Sequence, residues 1–461
     1  MGAVTGFRRS YHATMSVAVF VLAALPSTSS LPDPGTGGDT GSNAPTGSKP
    51  ANSLMRSPSW LEAETLASGV GLRSVSPVDS PFVPVLAADD LGKMHLFLCA
   101  GVTNPRSKGV PPEIRHKILD QAVWTDLPEV PGEGGIIWAM KAVAKKGGGV
   151  YLLWHEDSIL GPAYRPPKIY LRGWDPHDGW TGVDTVTDQK AEPWHELDLL
   201  VDKRGGLDAF WIDWREDHAL ISLFTGEGQF AKTFHRRRTE TGWGPAEKVQ
   251  RGGKFRVLQF DAVRDKDEAL HLLWTEMTNS FSKHGYSGIF HSIYENGRWG
   301  KPVALLEQRN FDGTPAMDLG LNAALGADGK IYAFTIFSRS VSEALEEHPL
   351  RLLAVDGGSL REGPVLSKRA NDALWVAGPE GPKGIILQEH RIGDDLLRGQ
   401  LDHSLYYVPV SGLEAGEKQL IAENVASGLF DAAVDKNGVC HLVYVQVGPE
   451  NTFKLVHRKG R

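Results

Sequence analysis

Apolar and polar positions alternate along Phe260–Trp274 (FDAVRDKDEALHLLW), break at a charged turn, and resume in a second apolar run. The pattern returns at Phe430–Tyr444 (FDAAVDKNGVCHLVY), an offset of 170 residues (430 − 260, and again 441 − 271). Period-two alternation on both sides of a short polar turn predicts a β-hairpin. Aligning on His271 gives seven such places: His95, Tyr151, Asp208, His271, Tyr332, Gly384 and His441, at spacings of 56, 57, 63, 61, 52 and 57. A steady period in this range marks a repeat architecture.

Each unit opens on an apolar run such as Phe82–Ala88, Met140–Ala144, Leu197–Val201 or Asn322–Leu325, and turns at Asp90–Gly92, Lys203–Gly206, Asp265–Glu268 or Asp435–Gly438. A second hairpin follows in most units, as at Ile169–Trp180, Lys232–Trp243 and Gly288–Trp299, and ends on Gly-Trp or Gly-x-Trp. Four antiparallel strands per unit, with no long amphipathic helix, describe a propeller blade. The last unit reaches a third strand at Phe453–Arg458 and then stops, while Trp60–Leu66 reads as an outer strand that would complete it. The expected fold is therefore all-β: a β-propeller of seven four-stranded blades, the ring closed by an N-terminal outer strand so that no sheet edge is left open. The recurring mid-strand His reads as packing, because Tyr, Asp and Gly replace it in other units.

Composition adds the compartment. Arg8 and Arg9, the apolar run Met15–Leu25 and the small residues after Pro26 read as a signal peptide over 1–30, too short in its apolar part to span a bilayer. The Gly-, Ser- and Pro-rich stretch 31–57 reads as a disordered linker, and 58–461 as the propeller domain. A secreted or periplasmic, monomeric protein without stable membrane insertion is expected. Hydrophobic residues make up 41% of the chain, enough for a sizeable core, and the net charge of −7 argues against a nucleic-acid partner. Cys99 and Cys440 sit five positions out of step in the alignment, about 16 Å along a strand, so two buried free thiols are expected rather than a disulfide. No metal-binding or phosphate-binding motif stands out, so no cofactor is expected.

Candidate chemistry lies five positions beyond the aligned residue, where the second strand of each unit runs into a long loop. Those positions are Ala100, Glu156, Asp213, Glu276, Phe337, Glu389 and Gln446, and four of the seven are acidic. Beside them stand His155, His284, Tyr286, His390 and Arg391. Carboxylates, imidazoles, an Arg and aromatics at one face suit a sugar: aromatic rings stack on it, Arg and carboxylates bind its polar groups, and paired carboxylates can hydrolyse a glycosidic bond. A His or Tyr base with an Arg on a uronate could instead support β-elimination. The candidate catalytic residues are His155, Glu156, Glu276, His284, Tyr286, Glu389, His390 and Arg391, with a carbohydrate as ligand. The alternative is a non-catalytic propeller that binds a glycan or a protein, in which the strand-end acids accept hydrogen bonds from neighbouring loop backbone.

The units Asp265–Trp274 and Asp435–Tyr444, with Gly-Trp and Gly-Arg-Trp turns downstream, resemble the sialidase-like or BNR-type β-propeller superfamily over 60–461. The turns His177-Asp-Gly-Trp and Glu295-Asn-Gly-Arg-Trp lack the leading Ser-x-Asp of sialidase Asp-boxes. The resemblance implies a propeller scaffold and a carbohydrate substrate, as in secreted polysaccharide lyases and uronate-directed glycosidases that use His, Tyr and Arg.

Overall fold

The computed structural model describes residues 58–69, 83–100, 113–132, 135–157, 167–187, 191, 193–213, 231–249, 256–277, 286–309, 320–337, 349–378, 380–390, 403–448 and 452–460. The signal peptide and linker expected over 1–57 lie outside these residues. Among the described residues every regular element is a β-strand, and every strand pairing is antiparallel.

All seven aligned residues sit on the second strand of a hairpin, each opposite the residue eight positions before it. The pairs are Ala87 with His95, Val143 with Tyr151, Leu200 with Asp208, Val263 with His271, Ala324 with Tyr332, Val376 with Gly384 and Ala433 with His441. A constant register follows from a constant turn. In the fourth unit Asp265 Oδ1 accepts the amides of Asp267 and Ala269 at 2.9 and 2.8 Å, and in the last Asp435 Oδ1 accepts those of Asn437 and Val439 at 2.8 and 2.9 Å. Such a carboxylate-capped turn holds one residue in the left-handed region. Gly438 takes that place at φ 78°, and Glu268, without glycine's freedom, at φ 69°.

Third and fourth strands complete the sheets. The fourth is interrupted in several units: Gly179–Trp180 and Asp184–Thr185 pair separately with Lys168–Asp175, and Gly242–Trp243 and Glu247–Lys248 with Lys232–Thr239. Breaks of this kind shorten an exposed edge. The last two units differ from separate four-stranded blades. The sixteen-residue strand Gln419–Val434 is the outer strand of the sixth unit and the inner strand of the seventh, so both lie in one eight-stranded sheet. Positive φ at Asn424 and Gly428, and a register shift between Val425 and Phe430, turn the strand from one role to the other. At its far side an N-terminal strand does pair with Phe453–Gly460, but it runs over Glu64–Gly69 rather than the expected Trp60–Leu66, with an isolated bridge from Trp60 to Gly460 before it.

The core lies in the seams between consecutive units rather than in one mass. Phe97 and Ile114 of the first unit meet Trp154 of the second; Leu153 of the second meets Trp211 of the third; Phe210 of the third meets Trp274 of the fourth. Leu273 meets Ala333 and Leu353, Phe334 meets Trp375, and Ile386 meets Leu442 and Tyr444. A further seam joins the ends of the chain, with Leu86, Leu96 and Leu98 of the first unit packed on Val443, Val445 and Leu455 of the last. Cys99 and Cys440 are buried in two different seams and are unpaired.

Candidate functional site

Side-chain parity decides where the strand-end acids go. Glu276 shares the face of Trp274 and Leu272, which points into the seam with the third unit. There the Trp274 indole N–H donates to Glu276 Oε2 at 3.0 Å. The same device occurs in the two preceding units, where Trp154 donates to Glu156 Oε2 and Trp211 to Asp213 Oδ2, both at 3.0 Å. Glu156 Oε1 also accepts the Gly135 amide at 2.5 Å. All three carboxylates are buried. Lys168 stands directly opposite Glu156, and the buried Lys232 opposite Asp213, on the third strands.

Glu389 belongs to the same series but has different partners. Ser367, at the end of the preceding unit's outer strand, donates to its Oε1 at 2.6 Å. Lys418 Nζ donates to both oxygens at 2.7 and 2.8 Å while lying 4.3 Å from the centre of the Tyr406 ring. The carboxylate is therefore part of a compact Ser–Glu–Lys–Tyr group between the fifth and sixth units.

Of the other expected residues, His155 is buried beside Glu156 but on the opposite strand face, toward the third unit. Tyr286 is half-buried at the start of the third strand of the fourth sheet, where Met277 pairs with Ser287 and Glu276 with Gly288, so it shares a sheet end with Glu276. His390 is half-buried and directly opposite His403, their rings 4.8 Å apart and crossed at 80°. Burial, and then the neighbouring His390, push the His403 imidazole down to about 3. His284 and Arg391 lie outside the described residues. The structure thus brings Glu276 and Tyr286 to one sheet end in the fourth unit, whereas His155 and Glu156, and Glu389 and His390, are chain neighbours that alternation places on opposite strand faces. Sequence reasoning missed Lys418, Ser367 and His403, which reach these groups from elsewhere in the sheets without any periodic signal.

At the opposite, short-turn end, the recurrent histidines form relays. His271 lies between Asp265, 3.2 Å from its Nε2, and His291, 3.0 Å from its Nδ1. His95 lies between Asp89 and His116 at 3.4 and 2.9 Å, and His441 between Asp435 and His457 at 3.5 and 3.1 Å. Burial, then the partner imidazole, pushes His291 down to about 4 and His116 to about 2. In the third unit the strand carries Asp208 at the aligned position, and His235 approaches it at 2.7 Å. Burial alone would raise Asp208, but His235, Arg237 and Arg264 together hold it below the usual carboxylate range. These groups tie each turn to its sheet.

No family model matches the chain. No curated protein sequence matches it either. Among solved structures it is similar to a polysaccharide lyase of family PL25, an ulvan lyase, at 8% identity and a TM-score of 0.51 over 84% of this chain and 93% of that one. The same enzyme bound to -[GlcA(1-4)Rha3S]- gives 8% identity and a TM-score of 0.50, covering 87% and 95%. An α-L-arabinanase of Penicillium chrysogenum complexed with arabinobiose shares 11% identity over 87% of this chain and 98% of that one, with a TM-score of 0.46. The likeness is one of fold, to β-propeller enzymes that act on glycans. A sialidase-like relationship is not what these structures show.

Proposed function

We propose that the chain is a closed, seven-bladed β-propeller that binds and cleaves an acidic carbohydrate, in the manner of a polysaccharide lyase or glycoside hydrolase, at the end of the sheets where the long loops leave. The observation that carries this reading is the likeness in shape, over 84% of the chain, to an ulvan lyase. The ring reading is supported by the seam between Leu96 and Val443, and by the Asp431 carboxylate accepting the Leu86 amide at 2.8 Å. A signal peptide over 1–30 and a linker over 31–57, as the sequence reads, fit export to the periplasm or beyond.

Within this reading the eight candidate residues divide by role. Glu156, Glu276 and Glu389, with His155, hold the strand ends from inside the seams. Tyr286, His284, His390 and Arg391 supply the contacts to substrate. Arg391 would neutralise a uronate carboxylate, which acidifies the proton α to it. A neutral imidazole would remove that proton, the electron pair would expel the glycosidic oxygen at the β carbon, and the tyrosine hydroxyl would protonate that oxygen as it leaves, giving an unsaturated uronate and a new reducing end. Purified protein incubated with a panel of acidic and neutral polysaccharides, read both for reducing ends and for ultraviolet absorbance of unsaturated uronates, tests the proposal. New reducing ends with absorbance indicate a lyase, and reducing ends without it a hydrolase. Neither signal from any polysaccharide overturns the catalytic reading.

The engagement of Glu156, Asp213 and Glu276 by indoles favours a second reading, a glycan-binding propeller without turnover. Retention on an immobilised polysaccharide that is never cleaved would distinguish it.

A further inference from the structure

Trp124, on the outer strand of the first sheet, meets His457, on the third strand of the last unit, across 333 residues. The indole Nε1 lies 3.3 Å from His457 Nδ1, with the rings crossed at 87°. An indole N–H can only donate. Nδ1 therefore presents a lone pair, and the proton of the neutral ring is on Nε2. That nitrogen lies 3.1 Å from His441 Nδ1 and donates to it; His441 in turn keeps its proton on Nε2, facing Asp435 Oδ2 at 3.5 Å. One donor that cannot reverse thus fixes both tautomers of the relay.

A second group stands at the same nitrogen. Glu64 is directly opposite His457 in the pairing of the N-terminal strand, and its Oε2 is 3.4 Å from Nδ1. A carboxylate can only accept, so it gains a hydrogen bond from this atom only when Nδ1 carries a proton, which with Nε2–H committed to His441 means the doubly protonated ring. Trp124 and Glu64 therefore bind the same atom in opposite protonation states. Trp299 and His235 repeat the indole contact at 3.2 Å, with Glu247 opposite His235 in the strand pairing.

We propose that the junction of the first and last units is a proton-operated latch. Neutral His457 holds Trp124 and with it the strand Val123–Val130; protonated His457 releases the indole and donates Nδ1–H to Glu64, moving its hold to the strand Glu64–Gly69. The charged and titratable groups facing His457 are Asp435 and His441 from the first hairpin of its unit, Lys459 from its own strand, and Glu64 from the N-terminal strand. The strand Val123–Val130 presents the uncharged Trp124. Burial, then His441 and Lys459, push His457 down to about 3, so the latch is closed at neutral pH and opens in acid.

Selective ¹⁵N-histidine labelling of the full chain, followed by NMR from neutral to acid pH, tests this directly. Wild type at neutral pH should show His457 with a bare Nδ1 and a protonated Nε2. Trp124→Phe removes the bond that favours the neutral ring, so His457 should bind its proton roughly fivefold more tightly. Glu64→Gln should shift proton affinity the opposite way. Amide hydrogen exchange in Val123–Val130, corrected for intrinsic rates, should rise in acid in wild type and be already high at neutral pH in Trp124→Phe. A protonated Nδ1 at neutral pH, or both variants titrating with wild type, overturns the proposal.

Discussion

The Asp431 carboxylate in the last hairpin accepts the backbone amide of Leu86 in the first at 2.8 Å, across 345 residues of chain. Its other oxygen accepts the Ala432 amide at 2.9 Å, so one side chain holds its own strand and the inner strand of the first unit. Asp261 does the same between the fourth and fifth units, accepting Ala262 at 3.0 Å and Ala323 at 2.6 Å. The contact between the ends of the chain is thus made as one between consecutive units is made.

Asp431→Ala should destabilise the protein by about 2 kcal/mol, because a charged acceptor is lost and the Leu86 amide is left without it. The midpoint of urea unfolding checks this. An equal loss is expected for Asp261→Ala, which makes the equivalent bonds in the middle of the chain. A much smaller loss at Asp431 than at Asp261 would mean that the ends of the chain are less firmly joined than its interior.

Much of this architecture is legible in the sequence, and the reason is local. The turn fixes the distance between paired residues, so the eight-residue offset seen at Ala87–His95 holds at Ala433–His441. Third-strand partners escape because the loop before them varies in length. His116 pairs with Phe97, 19 residues earlier, while His235 pairs with Phe210, 25 residues earlier. The acids at the strand ends are a different case. Glu276 lies an even number of residues from Trp274 and Leu272, so its seam-facing direction was available from alternation alone. Lys418 could not be found this way, since it approaches Glu389 from the residue just before an outer strand, 29 residues downstream.

The indole–carboxylate pairs should matter more for stability than for charge. Glu276→Ala should cost about 2 kcal/mol, leaving the buried Trp274 N–H without its acceptor, whereas Glu276→Gln, which keeps an acceptor oxygen, should cost less than half as much. Paired denaturation curves of the two variants measure the difference.

Acid should destabilise the fold. His116, His291, His403 and His457 have folded-state values of about 2, 4, 3 and 3 against an ordinary 6.5. Each is buried neutral, so the unfolded chain binds more protons than the folded one below pH 6.5. Stability is fully present above pH 6.5 and is lost as pH falls toward those values. For His291 alone the loss by pH 4 is about 3 kcal/mol. Guanidinium midpoints at pH 7.5, 5.5 and 4.5 should fall in that order.

The thiols should be silent in the native protein. Burial pushes both Cys99 and Cys440 up to about 12, Cys99 with some help from Glu156. A thiol reagent at pH 8 should label neither until denaturant is added, and then both.

The division of roles at the long-loop end is tested most directly by comparing Tyr286→Phe and His390→Gln with Glu276→Gln, reading binding and cleavage of one acidic polysaccharide beside the thermal midpoint. Tyr286→Phe and His390→Gln should lose cleavage by about a hundredfold or more with little change in midpoint. Glu276→Gln should keep cleavage within a few-fold. Loss of cleavage in Glu276→Gln with an unchanged midpoint, while the other two variants remain active, would contradict the account.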